Sequence, residues 1–473
     1  MAECNQQKYE TANFRYGKLG NSFIVTTDDG RWLQLNEKEL KDLKNNKIGR
    51  KLFLKLEEKG IVVTDNNRQD IIQRLSDKYS FLSNGTVLHI VIPTLRCNFK
   101  CIYCHTSSKP ANDKKYDMDR KTAKKVVDFI FQSHSQYITI EFQGGEPLLN
   151  FDIVKFIIEY AKEVNKKQGK SLIFTLVTNF SAIDDKKLKF LVDNDVGICT
   201  SLDGPEFLHK KNRCYSGGSY KFAKEGIERL KDEYKKKDDL NRRRANALIT
   251  ITRQSLPYWK EIIDEYVKLN LNDIFLRFLN NLGDARPAWK SISYTPEKFI
   301  KFWRKSMDYI IKLNKEGRVI REWFSWIMLQ KILGGIEPNY FEQRSPCGAV
   351  IGQMAYNFNG DIYSCDEGRM IGEDIFKLGN VRKNSYREVV TSPQSCSLIA
   401  SSTNEAQICD YCAYKPFCGI CPVCNYAEQG SIIGNISASA RCKIYKAQFD
   451  YIFDKIVNDE PARKVFLSWL EMK

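Results

Sequence analysis

Thr94–Ser108 reads TLRCNFKCIYCHTSS, with cysteines at Cys97, Cys101 and Cys104. A structural zinc site is closed by four protein ligands and an iron–sulfur cubane is held by four thiolates, so three thiolates leave one metal position open. Open positions are where substrates and cofactors bind, and the missing fourth ligand therefore predicts that a cofactor completes this site. Spacing alone leaves a zinc ion that borrows His105 as the alternative. The stretch directly follows the apolar run VLHIVIPT (Val87–Thr94), which places it at the C-terminal end of a strand.

That strand is the first of six. VLHIVIPT, YITIEFQ, SLIFTLVTN, VGICTSLD, ANALITITR and DIFLRFL alternate with amphipathic stretches such as KTAKKVVDFIFQS and FDIVKFIIEYAKEVNKK. Strand and helix in alternation predict an α/β domain over residues 86–335, with a parallel sheet that is either doubly wound or a partial barrel. In such sheets the functional residues gather at the C-terminal strand ends. Residues 1–85 read first as strands, FRYGK and SFIVTTDDGRWLQL with a turn at Asp28-Asp29-Gly30, and then as helices, a small α+β unit of its own. In residues 336–450 the alternation stops, cysteines become frequent and turn formers appear, which predicts a loop-rich domain stapled by metal. Residues 451–473 read as a helical tail.

The chain has 473 residues and is 42% apolar, enough for several packed domains. No apolar run approaches the roughly 18 to 20 residues that span a bilayer, and MAECNQQKYE lacks the pattern of a secretory signal, so the sequence reads as cytoplasmic with no membrane partner. In a reducing compartment fifteen cysteines are ligands or core thiols rather than disulfides, and eleven of them fall in two groups, which favours metal. Cys4, Cys199, Cys214 and Cys396 stand outside both groups and read as ordinary thiols. The net charge of +16 suits an acidic peptide or polynucleotide, but interleaved Lys and Glu in stretches such as Lys221–Arg244 favour a solvated surface and argue against nucleic acid.

Cys97-x3-Cys101-x2-Cys104 with Tyr103 before the last cysteine resembles the signature of the radical S-adenosylmethionine (SAM) superfamily. The resemblance implies a partial (β/α)6 barrel and a [4Fe-4S] cluster on these three thiolates whose open iron binds SAM. Gly144-Gly145-Glu146-Pro147 after the second strand resembles the family's GGEP motif, which receives the SAM ammonium; glycines allow close approach and a carboxylate suits a cation. Thr178-Asn179 and Ser201-Leu202-Asp203-Gly204, at the ends of the third and fourth strands, resemble positions that hold the ribose or the SAM carboxylate. Arg213 is a further candidate for an anionic group of the cofactor.

Cys347, Cys365, Cys409, Cys412, Cys418, Cys421, Cys424 and Cys442 resemble a SPASM extension with two auxiliary [4Fe-4S] clusters. By that resemblance Cys409, Cys412, Cys418 and Cys442 hold one cluster, and Cys347 and Cys365 share the other with Cys421, Cys424 or both. CxxC pairs also suit zinc, so a zinc-ribbon nucleic-acid binder is an alternative. EFQGGEPLLNF, SLDGP, IFLRFL, AYNFNGDIYSCDEGRM and LGNV are similar to maturases of ribosomally made peptides, of the His-Xaa-Ser-system type, over most of residues 85–445. The similarity implies hydrogen abstraction from a peptide residue, an electron donor such as flavodoxin or ferredoxin, and a precursor peptide whose leader adds as a strand to the N-terminal unit. Asp366, following Cys365 as a catalytic Asp does in the related sulfatase maturases, is the expected proton acceptor. Formylglycine formation on a sulfatase is the alternative enzyme activity.

Overall fold

The computed structural model describes residues 9–237, 245–338, 341–405 and 408–472. Cys4 and residues 238–244 of the basic stretch lie outside them. In the N-terminal unit, β1 (Phe14–Leu19), β2 (Ser22–Thr27) and β3 (Trp32–Leu35) form an antiparallel meander. Gly30, with φ +92°, turns the β2–β3 hairpin where a side chain would be strained. Asn36 and Glu39 form a capping box that starts helix Glu37–Lys44, and helix Arg50–Glu58 follows. Leu40, Leu43, Leu52 and Leu56 from these helices bury Val25 and Leu35 of the sheet in a small separate core. Alternation sends Leu19 and Ile24 to the other face, where they join the main core of the molecule. The unit is thus two-faced, with one face its own and the other docked.

The six apolar runs become parallel strands: β4 (Leu88–Thr94), β5 (Tyr137–Gly144), β6 (Ser171–Thr178), β7 (Val196–Ser201), β8 (Asn246–Thr250) and β9 (Leu276–Arg277), each paired with the next in chain order. DIFLRFL is broken at Phe275, because Asp273–Ile274 turns away to pair with Arg321–Glu322 while Leu276–Arg277 stays beside β8. The sheet curves as a partial barrel and does not close. Helices such as Arg120–Ile130 and Phe151–Gln168 cover its outside and pack on Ile138, Ile140 and Phe142, all fully buried.

Three strands of the C-terminal region extend this sheet to nine. β10 (Gln353–Tyr356) runs parallel beside β4, and β11 (Asp361–Tyr363) and β12 (Lys377–Asn380) follow antiparallel. The cysteine-rich region is loop-rich, yet Tyr356, Phe376, Phe417 and Phe449 bury it in the same core as the barrel. Helix Ala440–Asn458 runs through residue 450, where the tail was expected to begin, and helix Glu460–Glu471 packs back through buried Phe466 and Trp469.

Parallel sheets are usually buried on both faces, and the inside of a closed barrel is filled by branched side chains. Here the inward face is open. Thr139, Glu141 and Gln143 on β5, Thr175 and Val177 on β6, and Gly197, Cys199 and Ser201 on β7 are all partly exposed, whereas the intervening outward residues are buried. At the N-terminal mouth the exposure reaches 65% for Tyr137 and 52% for Ile173.

Candidate active site

The loop Cys97–Cys104 is held from several sides at the C-terminal end of β4. Arg96 anchors its start, donating from Nε and Nη2 to both Asp117 oxygens at 2.7 and 2.8 Å. Its far side pairs with the segment at Arg213, through Lys100–Cys101 against Arg213–Cys214, and the Asp284 amide donates to the Cys104 carbonyl at 2.8 Å. Gly144 and Gly145 permit close approach: a Cβ would lie 2.4 Å from the Thr94 carbonyl at Gly144 and 2.1 Å from the Arg96 carbonyl at Gly145. Their neighbour's amide uses that proximity, Glu146 N donating to Arg96 O at 2.7 Å. The two motifs therefore pack backbone on backbone.

Glu146 ties the strand ends together. Its Oε1 accepts from Thr178 Oγ1 at 2.7 Å and Leu148 N at 3.1 Å, and its Oε2 accepts from Asn179 N at 2.8 Å. Asn179 reaches on to Asn98 at 3.1 Å, within the cysteine loop. Glu146 is 1% exposed, and burial, offset in part by these bonds, raises its pKa to about 7. These bonds give the carboxylate an organising role within the motif. Ser201 ends β7 partly exposed on the same side.

Asp203 and Arg213 are also turned inward. Asp203 is fully buried, accepting from Tyr103 Oη at 2.5 Å and pairing with Arg213 Nε at 3.2 Å. Arg213 Nη1 lies 3.9 Å from Cys101 Sγ. Burial pushes the Cys101 thiol up to about 12, and the guanidinium pulls against that shift. The pair braces the cysteine loop.

The C-terminal cysteines gather as two sets. Cys409, Cys412, Cys418 and Cys442 line one cavity of about 50 Å3 together with Cys421. Cys347, Cys365, Cys421 and Cys424 are all buried, and Cys347, Cys365 and Cys421 are near enough to act on one another's charge. Arg441 Nη2 donates to Cys424 Sγ at 2.9 Å. The Cys424 hydrogen bond, opposed by burial and aided by Arg441, holds the Cys421 thiol below its ordinary value. Among the described residues no three His, Cys, Asp or Glu side chains converge at single-ion distances. Grouped thiols with cationic or amide donors suit thiolate ligation of a cluster. Asp366 is 5% exposed; Arg369 donates to its Oδ1 from Nε at 2.9 Å, and Nη2 lies at ion-pair distance from the same oxygen, also 2.9 Å.

Sequence reading missed two features here. Arg277 links Glu342 and Glu367, each at 3.2 Å, and Arg441 joins Glu342 at 3.3 Å, a charge network between the barrel and the Cys347 set. Glu141 points into the lumen, and its signal was present in YITIEFQ as the one charged residue at inward parity.

Residues 91–241 match the family model of the radical SAM superfamily, and residues 347–413 match that of the iron-sulfur cluster-binding domain SPASM. The cysteine-type anaerobic sulfatase-maturating enzyme of Clostridium perfringens is 26% identical over 373 residues, 76% of this chain and 95% of that protein. The solved structure of native anSMEcpe with bound AdoMet has a TM-score of 0.66 at 21% identity, covering 80% of this chain and 100% of its own. Streptococcus suis SuiB bound to precursor peptide SuiA has a TM-score of 0.54 at 14% identity, covering 90% of this chain and 98% of its own. The chain is an enzyme with a radical SAM domain over residues 91–241 and a SPASM domain over residues 347–413, and its cofactors are SAM and [4Fe-4S] clusters.

Proposed function

We propose that this enzyme modifies a ribosomally made peptide, forming a cross-link or another oxidative change at one of its residues. The open lumen carries the reading: an inward face that stays accessible from the N-terminal mouth to the Gly144–Gly145 turn has room for a side chain on an extended chain. Supporting it, SuiB, solved with its precursor peptide, covers 90% of this chain, including more of it than anSMEcpe, which covers 80%.

Cys97, Cys101 and Cys104 would hold the first cluster, with SAM received at the Gly144–Gly145 backbone, Thr178, Asn179 and Ser201. When bound, this pair supplies a 5'-deoxyadenosyl radical that removes a hydrogen atom from the substrate. Glu146 fixes the turn, and Asp203 with Arg213 holds Tyr103 and Cys101 in place. Cys409, Cys412, Cys418 and Cys442 would hold one auxiliary cluster, and Cys347, Cys365, Cys421 and Cys424 the other. Asp366 would take up the proton that an oxidised residue releases, at Oδ2, the oxygen that Arg369 leaves unbonded.

The N-terminal unit would bind the leader by strand addition, working in the cytoplasm with a flavodoxin or ferredoxin as electron donor. Formylglycine formation is the weaker reading, since it gives that unit no task. Coexpression with the peptide of the neighbouring open reading frame, followed by mass spectrometry, tests the proposal: a mass change confined to that peptide supports it. Deleting residues 1–85 should abolish the change, whereas an unmodified peptide beside a matured sulfatase would favour the alternative.

A further inference from the structure

Glu141 is the partly exposed acid of the lumen that the proposed chemistry leaves without a task. It sits on the inward face of β5, in register with Thr175 on β6 and Ile90 on β4, three residues before Gly144. Outward neighbours Ile140 and Phe142 are fully buried under the helices, so the direction of the Glu141 side chain is set by the strand itself. Its Oε1 accepts from Gln143 Nε2 at 2.5 Å and its Oε2 from Thr175 Oγ1 at 3.1 Å. Both donors are neutral.

Several acids nearby are compensated by cations, whereas Glu146, at the strand end, spends its carboxylate on three neutral donors of the turn. Asp203 has Arg213, Asp366 has Arg369, Glu342 has Arg277 and Arg441, and Glu367 has Arg277. Among the described residues no Lys, Arg or His lies within ion-pair distance of Glu141. A carboxylate largely withdrawn from bulk water and bonded only to neutral donors either keeps its proton or waits for a positive partner. Burial does hold its pKa above the ordinary value, with Asp366 adding to the rise and Gln143, Thr175 and Arg277 opposing it. The lumen side chains around it, Thr139, Gln143, Thr175 and Cys199, are uncharged, and they leave it accessible.

We propose that Glu141 determines specificity by accepting the side chain of a lysine or arginine of the substrate peptide inside the barrel. This rests on the peptide reading above. A cationic residue drawn to Glu141 would be seated just below the Gly144–Gly145 turn, which fixes the register of the peptide against the radical site. Each carboxylate oxygen already bonded once retains a second acceptor position for an ammonium or guanidinium donor.

The chain's own charge makes the test sharp. At +16 the surface favours acidic peptides, so enrichment of Lys or Arg among binders has to come from a local carboxylate. An mRNA-displayed library of random twelve-residue peptides is selected on the reconstituted holoenzyme with SAM, in parallel for wild type, Glu141→Gln and Glu141→Asp, with iron per chain checked for each. Wild type should enrich Lys and Arg together at one position by about tenfold or more, and Glu141→Gln should lose that enrichment. Glu141→Asp, whose carboxylate is withdrawn by one methylene, should shift the preference from Lys toward the longer Arg, which keeps the proposal testable should Glu141→Gln bind less iron. Peptides selected without Lys or Arg enrichment, or with enrichment that survives Glu141→Gln, overturn the proposal and leave the peptide reading standing. Failure of every protein to select any peptide removes the peptide reading, and this inference with it.

Discussion

Arg15, on the first strand of the N-terminal unit, donates from Nε to the backbone carbonyl of Asp410 at 2.6 Å and from Nη2 to its carboxylate at 3.0 Å. Asp410 lies between Cys409 and Cys412. Thr26 Oγ1 and Lys78 Nζ bond the carbonyls of Ala413 and Pro416, at 2.8 and 2.9 Å, so the N-terminal unit clasps the loop that carries one set of auxiliary thiols. Arg15 is 3% exposed and also pairs with Asp28 at 2.7 Å. Arg15→Ala should cost about 1–3 kcal/mol, the scale for stranding polar partners, and lower the iron content by up to about one third as the Cys409–Cys442 set loosens. Denaturant unfolding and iron analysis check this, and full iron with an unchanged midpoint would show the clasp to be idle.

The Asp203–Arg213 pair should be needed for the first cluster alone. Asp203→Asn leaves a buried guanidinium without its counter-charge, and breaking a buried pair from one side costs about 3–5 kcal/mol. Because Arg213 also faces Cys101 Sγ, the loss should appear as iron missing from the Cys97–Cys104 site, with the two C-terminal sites filled. Electron paramagnetic resonance of the reduced protein separates the three.

Glu146 predicts a pH effect whose sign follows from its environment. Its pKa of about 7 in the folded protein exceeds the ordinary 4.5, so between these values the folded state holds a proton that the unfolded state lacks. Stability should therefore fall as pH rises through that window, by about 3 kcal/mol at most from this one group. Glu146→Gln, which cannot ionise, should flatten the pH dependence of the melting temperature between about pH 4.5 and 7, and an identical slope in both proteins would rule out the shift.

Much of this architecture can be read from the chain because its signals are local. Alternating strand and helix runs marked the six barrel strands, the three-cysteine loop marked the open metal position, and glycines at 144 and 145 marked where backbone meets backbone. What could not be read depends on which side of a residue its neighbours occupy. Glu146, Asp203 and Arg213 carry the residue types of ligand contacts, and only the packing shows that they also bond Thr178 and Tyr103 and lie against Cys101. Likewise nothing in Gln353–Tyr356 announces that it will pair with β4, 265 residues earlier by the Ile90–Ala355 register, and merge the cysteine-rich domain with the barrel sheet.

Asp366 offers a test of proton handling. Asn keeps the size and most of the hydrogen-bonding reach of Asp but has no basic oxygen to accept a proton. With Asp366→Asn the ratio of modified peptide to 5'-deoxyadenosine should fall by roughly 100-fold or more, the scale for losing a positioned base, while iron stays at the wild-type level. Iron lost together with every activity would instead assign Asp366 to holding the adjacent Cys365.

The central claim is that one of three cluster sites, the three-thiolate loop, activates SAM, and iron with 5'-deoxyadenosine measured on the same samples tests it most directly. Anaerobically reconstituted wild type should carry about 12 irons per chain and release 5'-deoxyadenosine from SAM on reduction with dithionite. The Cys97→Ala, Cys101→Ala, Cys104→Ala triple variant should carry about 8 and release none. Zinc in place of iron, or 5'-deoxyadenosine still formed by the triple variant, would contradict the account.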